Sequence, residues 1–399
     1  MKILVLNSGS SSIKFQLFNM VEEKVLAKGQ VERIGIEGSA IEYENIKGQE
    51  VEKDIDISNH RSGIEHIIRI ILDSEVGMVE DIDEINAVGH RVVHGGEKFA
   101  ESTLITEEVI DSIEEVSSLA PLHNPHNLSG IKVCQELLPG KPQVAVFDTA
   151  FHQSMPKEAY IYAIPYKYYE KYGIRRYGFH GTSHKYVSNR AAKLMDKEQE
   201  DLKIITCHLG NGVSITAVDG GESVDTSMGM TPLEGLVMGT RSGDIDPAII
   251  PFLMDKEDLD TKEIDNILNK ESGLLGISGV SNDSRDVREA AHGGNHRAKL
   301  ADKVFNYRVR KYIGAYIAVL NGVDAVVFTG GIGENASEVR EDILGKLDNL
   351  GFEIDLEANK VRGEEREITT PNSKVKAFVI PTNEELVIAR DTENVVENE

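Results

Sequence analysis

Arginines, histidines and carboxylates recur in this sequence beside short glycine-rich turns, a combination suited to handling anions. Arg91 ends an apolar stretch in HRVVHGGE (90–97), beside Gly95 and Gly96, and Arg241 lies in GTRSGDIDP, a polar loop after an apolar stretch. A guanidinium can clamp a carboxylate or a phosphate through two parallel hydrogen bonds, or simply serve a surface salt bridge. Asp148 closes the apolar run QVAVF, where a carboxylate either caps a helix or stands at the carboxyl end of a strand, the edge at which α/β folds place ligands. Glu384 and Glu385 follow PTN in the same way, with capping and metal binding both open. Histidine is concentrated at His90, His94, His123, His126, His152, His180, His184 and His208. HNPH (123–126) and HGTSH (180–184) have spacings that a metal could use, but no HExxH occurs, and a hydrogen-bonded structural role is the plainer reading of any one of them. His180 and His208 stand apart because each adjoins a glycine-rich turn.

Four such turns follow apolar segments: NSGSSS (7–12), HLGNG (208–212), TGGIGEN (329–335) and, more loosely, HRVVHGGE. Glycine lets backbone N–H groups approach a phosphate closely. One turn alone reads as a tight hairpin, whereas several at strand ends point to phosphate binding. None matches GxxxxGK[ST], and none is a GxGxxG opening a helix, which disfavours a P-loop NTPase and a dinucleotide-binding dehydrogenase.

The elements that must position these residues alternate between strands and helices. Strand periodicity appears at 3–6, 13–18, 24–33 and 40–44, at 85–96 running into a glycine loop, and at 143–152. Helical spacing appears at 60–74, 106–119 and 126–137. A second cycle follows: a helix at 182–195, strand–turn–strand at 203–221, helices at 260–268, 284–291 and 297–321, a strand entering a glycine loop at 324–335, a helix at 337–349, a strand at 374–385 and a terminal helix. The first 20 residues and residues 203–221 share the pattern apolar strand, small-residue turn, strand, which predicts a duplicated domain. The expected class is α/β in two domains, 1–148 and 149–385, with a helix at 386–399 returning to the first.

The 43 basic and 67 acidic side chains give a net charge of −24, which argues against nucleic acid or anionic lipid as a partner. A nucleotide would have to be held by local donors and a metal ion. No apolar stretch is long enough to cross a bilayer, and MKILVLNSGSSS lacks the apolar run of a signal peptide. Cys134 and Cys207 sit in apolar surroundings without metal-ligand spacing, which fits a reducing cytoplasm.

Taken together and in order, LNSGSSSIKF, GHRVVHGG, PLHNPHNL, FDTAFH, YGFHGTSH, HLGNG, MGMTPLEGLVMGTRSGDIDP, ISGVSNDSRD, FTGGIGEN and PTNEE resemble the motifs of the acetokinase family, within the superfamily of acetate and sugar kinases, heat-shock proteins and actin. The resemblance covers essentially the whole chain. It implies two actin-like (ribonuclease H-like) domains with duplicated β-sheet cores flanked by helices and a nucleotide cleft between them, reversible phosphoryl transfer between ATP and acetate, ADP and acetyl phosphate as products, and a homodimer. Carried over by residue, it implies Mg²⁺ (or Mn²⁺) at Asn7 and Glu384, with Ser10, Ser12 and Lys14 near the phosphoryl path. Arg91 would bind the substrate carboxylate, with Val93, Leu122, Phe179 and Pro232 around its methyl group. Asp148 would be the catalytic carboxylate, and His180 and Arg241 would stabilise the transferring phosphoryl group. His208, Leu209, Gly210, Asn211, Gly212, Asp283, Ser284, Arg285, Gly331, Ile332, Gly333, Glu334 and Asn335 would bind ATP, with Lys14 close by. The chain departs from the family pattern at Ser284, where a bulky apolar residue is expected, so contact with adenine there would alter base selectivity or affinity.

A carboxylate acceptor, with a pKa of roughly 4.3 by analogy with glutamate, is already ionised at pH 7 and needs no general base. Asp148 then serves better by orienting Arg91 or metal-bound water than by taking a proton. The difficulty is repulsion between two anions, which positive charge around an in-line path relieves. Propionate or butyrate kinase remains the close alternative, a sugar kinase is disfavoured by Arg91, and an actin-like polymer or chaperone ATPase is remote.

Overall fold

The computed structural model describes residues 1–121 and 123–398; Leu122, expected at the acid pocket, and Glu399 lie outside them. The chain divides into two compact units, Met1–Phe151 with Asn383–Glu399, and His152–Thr382.

The first unit is built on an eight-stranded sheet. Its strands are β1 (Lys2–Ser8), β2 (Ser12–Asn19), β3 (Lys24–Glu32), β4 (Ala40–Asn45), β5 (Glu50–Asp54), β6 (Ala87–Val92), β7 (Thr103–Leu104) and β8 (Gln143–Phe147), in the spatial order β5-β4-β3-β2-β1-β6-β8-β7. β1, β2 and β3 form an antiparallel meander, while β6 runs parallel to β1 and β8 parallel to β6. The inner strands are apolar on both faces: Ile3, Leu4, Val5 and Leu6 are all buried, as is every residue of β8. That pattern is expected of parallel strands covered by helices.

Helix His60–Ile71 shows how the sequence sets the covering layer. Asn59 caps it by accepting from the Ser62 N–H at 3.0 Å, and Ile64, Ile67, Ile68 and Ile71 fall on one buried stripe. The terminal helix Glu384–Glu397, capped by Asn383, packs against β1, β6 and β8. It begins two residues earlier than expected, so Glu384 and Glu385 occupy its first turn and the cap is Asn383.

The second unit repeats the core. Its strands are β9 (Lys203–Leu209), β10 (Val213–Asp219), β11 (Glu222–Thr226), β12 (Ala325–Thr329), β13 (Arg366–Glu367) and β14 (Lys376–Val379), in the order β11-β10-β9-β12-β14-β13. β9, β10 and β11 form the antiparallel meander, and β12 and β14 follow in parallel. The five-strand pattern β3-β2-β1-β6-β8 therefore recurs as β11-β10-β9-β12-β14. The turn NSGSSS corresponds to HLGNG, the duplication expected from the sequence.

Several local expectations need correction. The segment 143–152 is a strand only to Phe147, and Ala150–Ser154 forms a 3₁₀ turn. TGGIGEN is a helical turn, Gly330–Asn335, rather than an open loop. Gly330 makes the sharp entry possible, since φ is +75° and a Cβ there would lie 2.9 Å from the Leu209 carbonyl oxygen. The helix expected at 337–349 ends at Leu344. No helix among the described residues is long and apolar enough to cross a membrane.

Candidate active site

In the first unit the candidate residues converge at the carboxyl ends of the parallel strands. Arg91, from β6, donates from Nε to Asp148 Oδ1 at 3.0 Å and from Nη2 to Asp148 Oδ2 at 2.6 Å. This fork engages both carboxylate oxygens just beyond β8. Asp148 is 2 % exposed and Arg91 22 %, so the pair is no loose surface bridge. Arg91 Nη1 lies 3.5 Å from Asn7 Oδ1, and Glu384 Oε2 is 3.9 Å from Arg91 Nε. Asn7 stands opposite Lys14 across the β1–β2 hairpin. Strand order, hairpin register and the terminal helix together gather Asn7, Lys14, Arg91, Asp148 and Glu384, which lie far apart in the chain.

The electrostatics follow from that crowding. Burial lowers the Arg91 pKa, but Asp148 and Glu384 outweigh it and hold the guanidinium firmly protonated. Burial raises Glu384 to about 7, opposed by Arg91 and reinforced by Asp148 and Glu385. Val93, one residue beyond β6, is buried and fixed by its N–H to Asn127 Oδ1 at 3.1 Å.

In the second unit, helix Gly181–Leu194 packs on β9 and carries part of the histidine cluster inward. His180 precedes it in the left-handed conformation, φ 58° and ψ 24°, sparsely populated for a non-glycine residue and found preferentially at functional sites. Its ring stacks on that of His208 with centroids 4.2 Å apart. His180 Nδ1 lies 2.9 Å from Ser214 Oγ, and His208 Nδ1 lies 2.8 Å from Ser183 Oγ. A Cβ built on Gly212 would lie 3.4 Å from His180 Nε2 and 3.7 Å from Arg241 Nη1, so glycine leaves space where these side chains meet. Arg241 donates to the Pro232 carbonyl at 3.3 Å, and no carboxylate among the described residues pairs with it. Burial lowers its pKa, the signature of a cation without a counter-charge. Phe179 is buried, and its carbonyl lies 3.1 Å from His152 Nε2.

Beside this cluster lies a cavity of about 690 Å³. Gly210, Asn211, Asp283, Ser284, Arg285, Gly331, Ile332 and Asn335 line it, uniting three segments that lie far apart in the sequence. Asn282, Arg288 and Arg362 also line it and were not singled out from the sequence; arginines in unremarkable polar surroundings carry no pattern that marks them. His208, Leu209, Gly212, Gly333 and Glu334 are not among its lining. Leu209 is buried, and Glu334 instead accepts from the N–H groups of Gly330 at 2.9 Å and Thr382 at 3.2 Å, fastening the turn. Asp283 caps helix Ser284–His292 and binds Arg285 through Nη2 at 2.6 Å.

Histidines at metal-like spacings are engaged in stacking and hydrogen bonding. His126 stacks on His60, and His184 is buried between Thr206 and Ser214. Among the described residues no group of three or more His, Cys, Asp and Glu is placed to hold a metal. The oxygens of Asn7 and Glu384 remain as hard donors, few in number, which suits a Mg²⁺ ion that keeps most of its ligands as water and phosphate. Cys134 and Cys207 are free and buried, and burial raises both thiols, Cys134 to about 12.

The model of the acetokinase family matches residues 2–390. The chain belongs to the acetokinase family. It is 69% identical over 398 residues to the acetate kinase of Halothermothrix orenii, covering 100% of both chains. Among solved structures, the acetate kinase of Porphyromonas gingivalis is 49% identical with a TM-score of 0.95, covering 99% of both chains. A propionate kinase from Francisella tularensis is 47% identical with a TM-score of 0.93, again over 99% of both. As a member of this family the chain is a phosphotransferase with a carboxyl group as acceptor, and two α/β units with duplicated sheet cores are its fold.

Proposed function

We propose that this acetokinase-family member catalyses ATP + acetate = ADP + acetyl phosphate, reversibly, by direct in-line transfer without a phosphoenzyme. The observation that carries the reading is Arg241: a half-buried guanidinium with no carboxylate partner among the described residues, beside His180 and Gly212. A desolvated cation of this kind is completed by an anion, and the transferring phosphoryl group is the anion the family's chemistry supplies.

The remaining roles follow from charge and position. Arg91 binds the acceptor carboxylate, offsetting its repulsion from the phosphates. Asp148 acts as a positioning residue, holding the Arg91 fork in one orientation through both of its oxygens. It takes no proton, because the acceptor is ionised already. Val93, Phe179 and Pro232 are assigned to the acid's methyl group; Leu122, which the family resemblance adds to them, lies outside the described residues. Asn7 and Glu384 hold Mg²⁺ or Mn²⁺, which when bound neutralises phosphate charge. The 690 Å³ cavity takes the nucleotide, with Ser284 in place of a bulkier residue against the base.

The protein is further read as a cytoplasmic homodimer. Helix Ile249–Glu257 supports the dimer: it has no buried residue although Ile249, Ile250, Phe252, Leu253 and Met254 are apolar, and Phe252 is 60% exposed.

ATP made chiral at its γ-phosphorus with oxygen isotopes tests the transfer. One direct step inverts the configuration in acetyl phosphate, whereas net retention would require a phosphorylated enzyme and overturn the in-line proposal.

A further inference from the structure

Behind His180 lies a chain of side chains to which no role has been assigned. His180 Nδ1 is 2.9 Å from Ser214 Oγ, Ser214 Oγ is 2.7 Å from His184 Nε2, and His184 Nδ1 is 2.6 Å from Thr206 Oγ1. Thr206, His184 and Ser214 are all 0% exposed. Two of them lie on neighbouring strands, Thr206 on β9 and Ser214 on β10, and His184 reaches between them from helix Gly181–Leu194.

Each hydroxyl has one proton, and a neutral imidazole has one N–H and one acceptor nitrogen; were Ser214 to accept from both rings, its own buried O–H would have no acceptor among the described residues, so two directions remain for the chain. In one, Thr206 donates to His184 Nδ1, His184 Nε2–H donates to Ser214, and Ser214 donates to His180 Nδ1. In the other, every bond is reversed and ends on Thr206 as acceptor. No other group among the described residues takes the Thr206 hydroxyl proton. The reversed chain would therefore strand a buried O–H, whereas the forward chain leaves only an unfilled lone pair, the cheaper defect. His184 stays neutral in both, since burial and the neighbouring His152 and His208 hold its pKa well below the usual histidine range.

We infer that Thr206, His184 and Ser214 are positioning residues that fix His180 as the neutral tautomer protonated at Nε2, and so supply one N–H donor to the transferring phosphoryl group. His180 Nε2 is the nitrogen on the side of Gly212 and Arg241. The two side chains then divide the work: Arg241 supplies the positive charge and His180 a directed hydrogen bond. A second cation so close to Arg241 would be repelled. The left-handed backbone at His180 contributes as well, setting the ring's exit from the helix terminus so that Nδ1 reaches β10.

The inference rests on His180 acting on the transferring group, and the test separates the two. In the wild-type enzyme, ¹⁵N NMR of the histidine rings at pH 7.5 should report His180 and His184 both as Nε2–H tautomers; Nδ1–H or imidazolium at His180 overturns the inference without any variant. Ser214→Ala should lower kcat by about tenfold or more while leaving the KM for ATP within about twofold, by analogy with the loss of other tautomer-fixing partners. Thr206→Val, close in shape, should mix the His184 and His180 tautomers and lower kcat severalfold. In a His180→Ala background Ser214→Ala should cost nothing further, whereas a purely structural role would add its own loss. If His180→Ala itself keeps full kcat, the role of His180 fails; if only that variant loses activity and Ser214→Ala does not, the chain behind it fails.

Discussion

Arg91 and Asp148 make the strongest residue-scale case, because two hydrogen bonds fix the guanidinium while Asp148 is almost wholly enclosed. Arg91→Ala should lower kcat/KM for acetate by about 10²-fold or more, the scale of other charge-stabilising donors, with ATP affinity by calorimetry little changed. Unaltered acetate kinetics would remove Arg91 from the site. Glu384 carries a separate consequence. Its folded-state pKa of about 7 lies above the ordinary 4.5, so in the metal-free protein its contribution favours folding below the unfolded value and is lost as pH rises through 7. Glu384→Gln should therefore gain Tm relative to wild type between pH 5 and pH 8 in the absence of divalent metal. A Tm difference constant over that range would contradict the shift. Arg91 and Asp148 were both visible in the sequence as polar residues ending apolar runs. Their partnership was not, because it depends on β6 and β8 lying side by side in parallel register.

Elements decide how close those residues can come. Gly89, within β6, has no side chain where the terminal helix crosses: a Cβ would stand 2.5 Å from Thr392 Oγ1 and 2.7 Å from Ile388 Cγ2. Gly89→Ala must push that helix outward, at a cost of about 1–3 kcal/mol by analogy with other overpacked cores, and shift Glu384 at its first turn. Chemical denaturation should record the lost stability and a Mg²⁺ titration of activity a raised half-saturation; a variant with wild-type values in both would show that the helix does not seat the acidic residue. Elements with strong internal periodicity were legible, among them the β1–β2 and β9–β10 hairpins and the isoleucine stripe of His60–Ile71. The two-residue strands β7 and β13 were not, since only tertiary pairing defines them. Nor was helix Ile249–Glu257, whose apolar residues wrap around it instead of marking one face. Similarly, Ser214 is one hydroxyl among many until the fold brings two histidines to it.

Across the whole molecule, one core architecture appears twice and has diverged in what it carries. The first copy presents Arg91, Asp148, Asn7 and Glu384; the second presents His180, Arg241 and the cavity of about 690 Å³. The exposed apolar helix Ile249–Glu257 belongs to the second copy, and if it forms a homodimer surface, Phe252→Asp should shift sedimentation from dimer to monomer. A dimer that persists would place the interface elsewhere. Acid selectivity depends on pocket volume, which neither periodicity nor spacing encodes. Val93→Ala should move selectivity toward propionate and butyrate by tenfold to a few hundredfold at most, since one methylene in a pocket is worth ~1–3 kcal/mol. The most direct measurement is to trap the products as acyl hydroxamates from acetate, propionate and butyrate with ATP and Mg²⁺, comparing kcat/KM for the wild type and Arg91→Ala. The account predicts acetate as the preferred acceptor of the wild type and collapse of all three acids in the variant; a wild type that forms no acyl phosphate, or a variant that forms it undiminished, would contradict it.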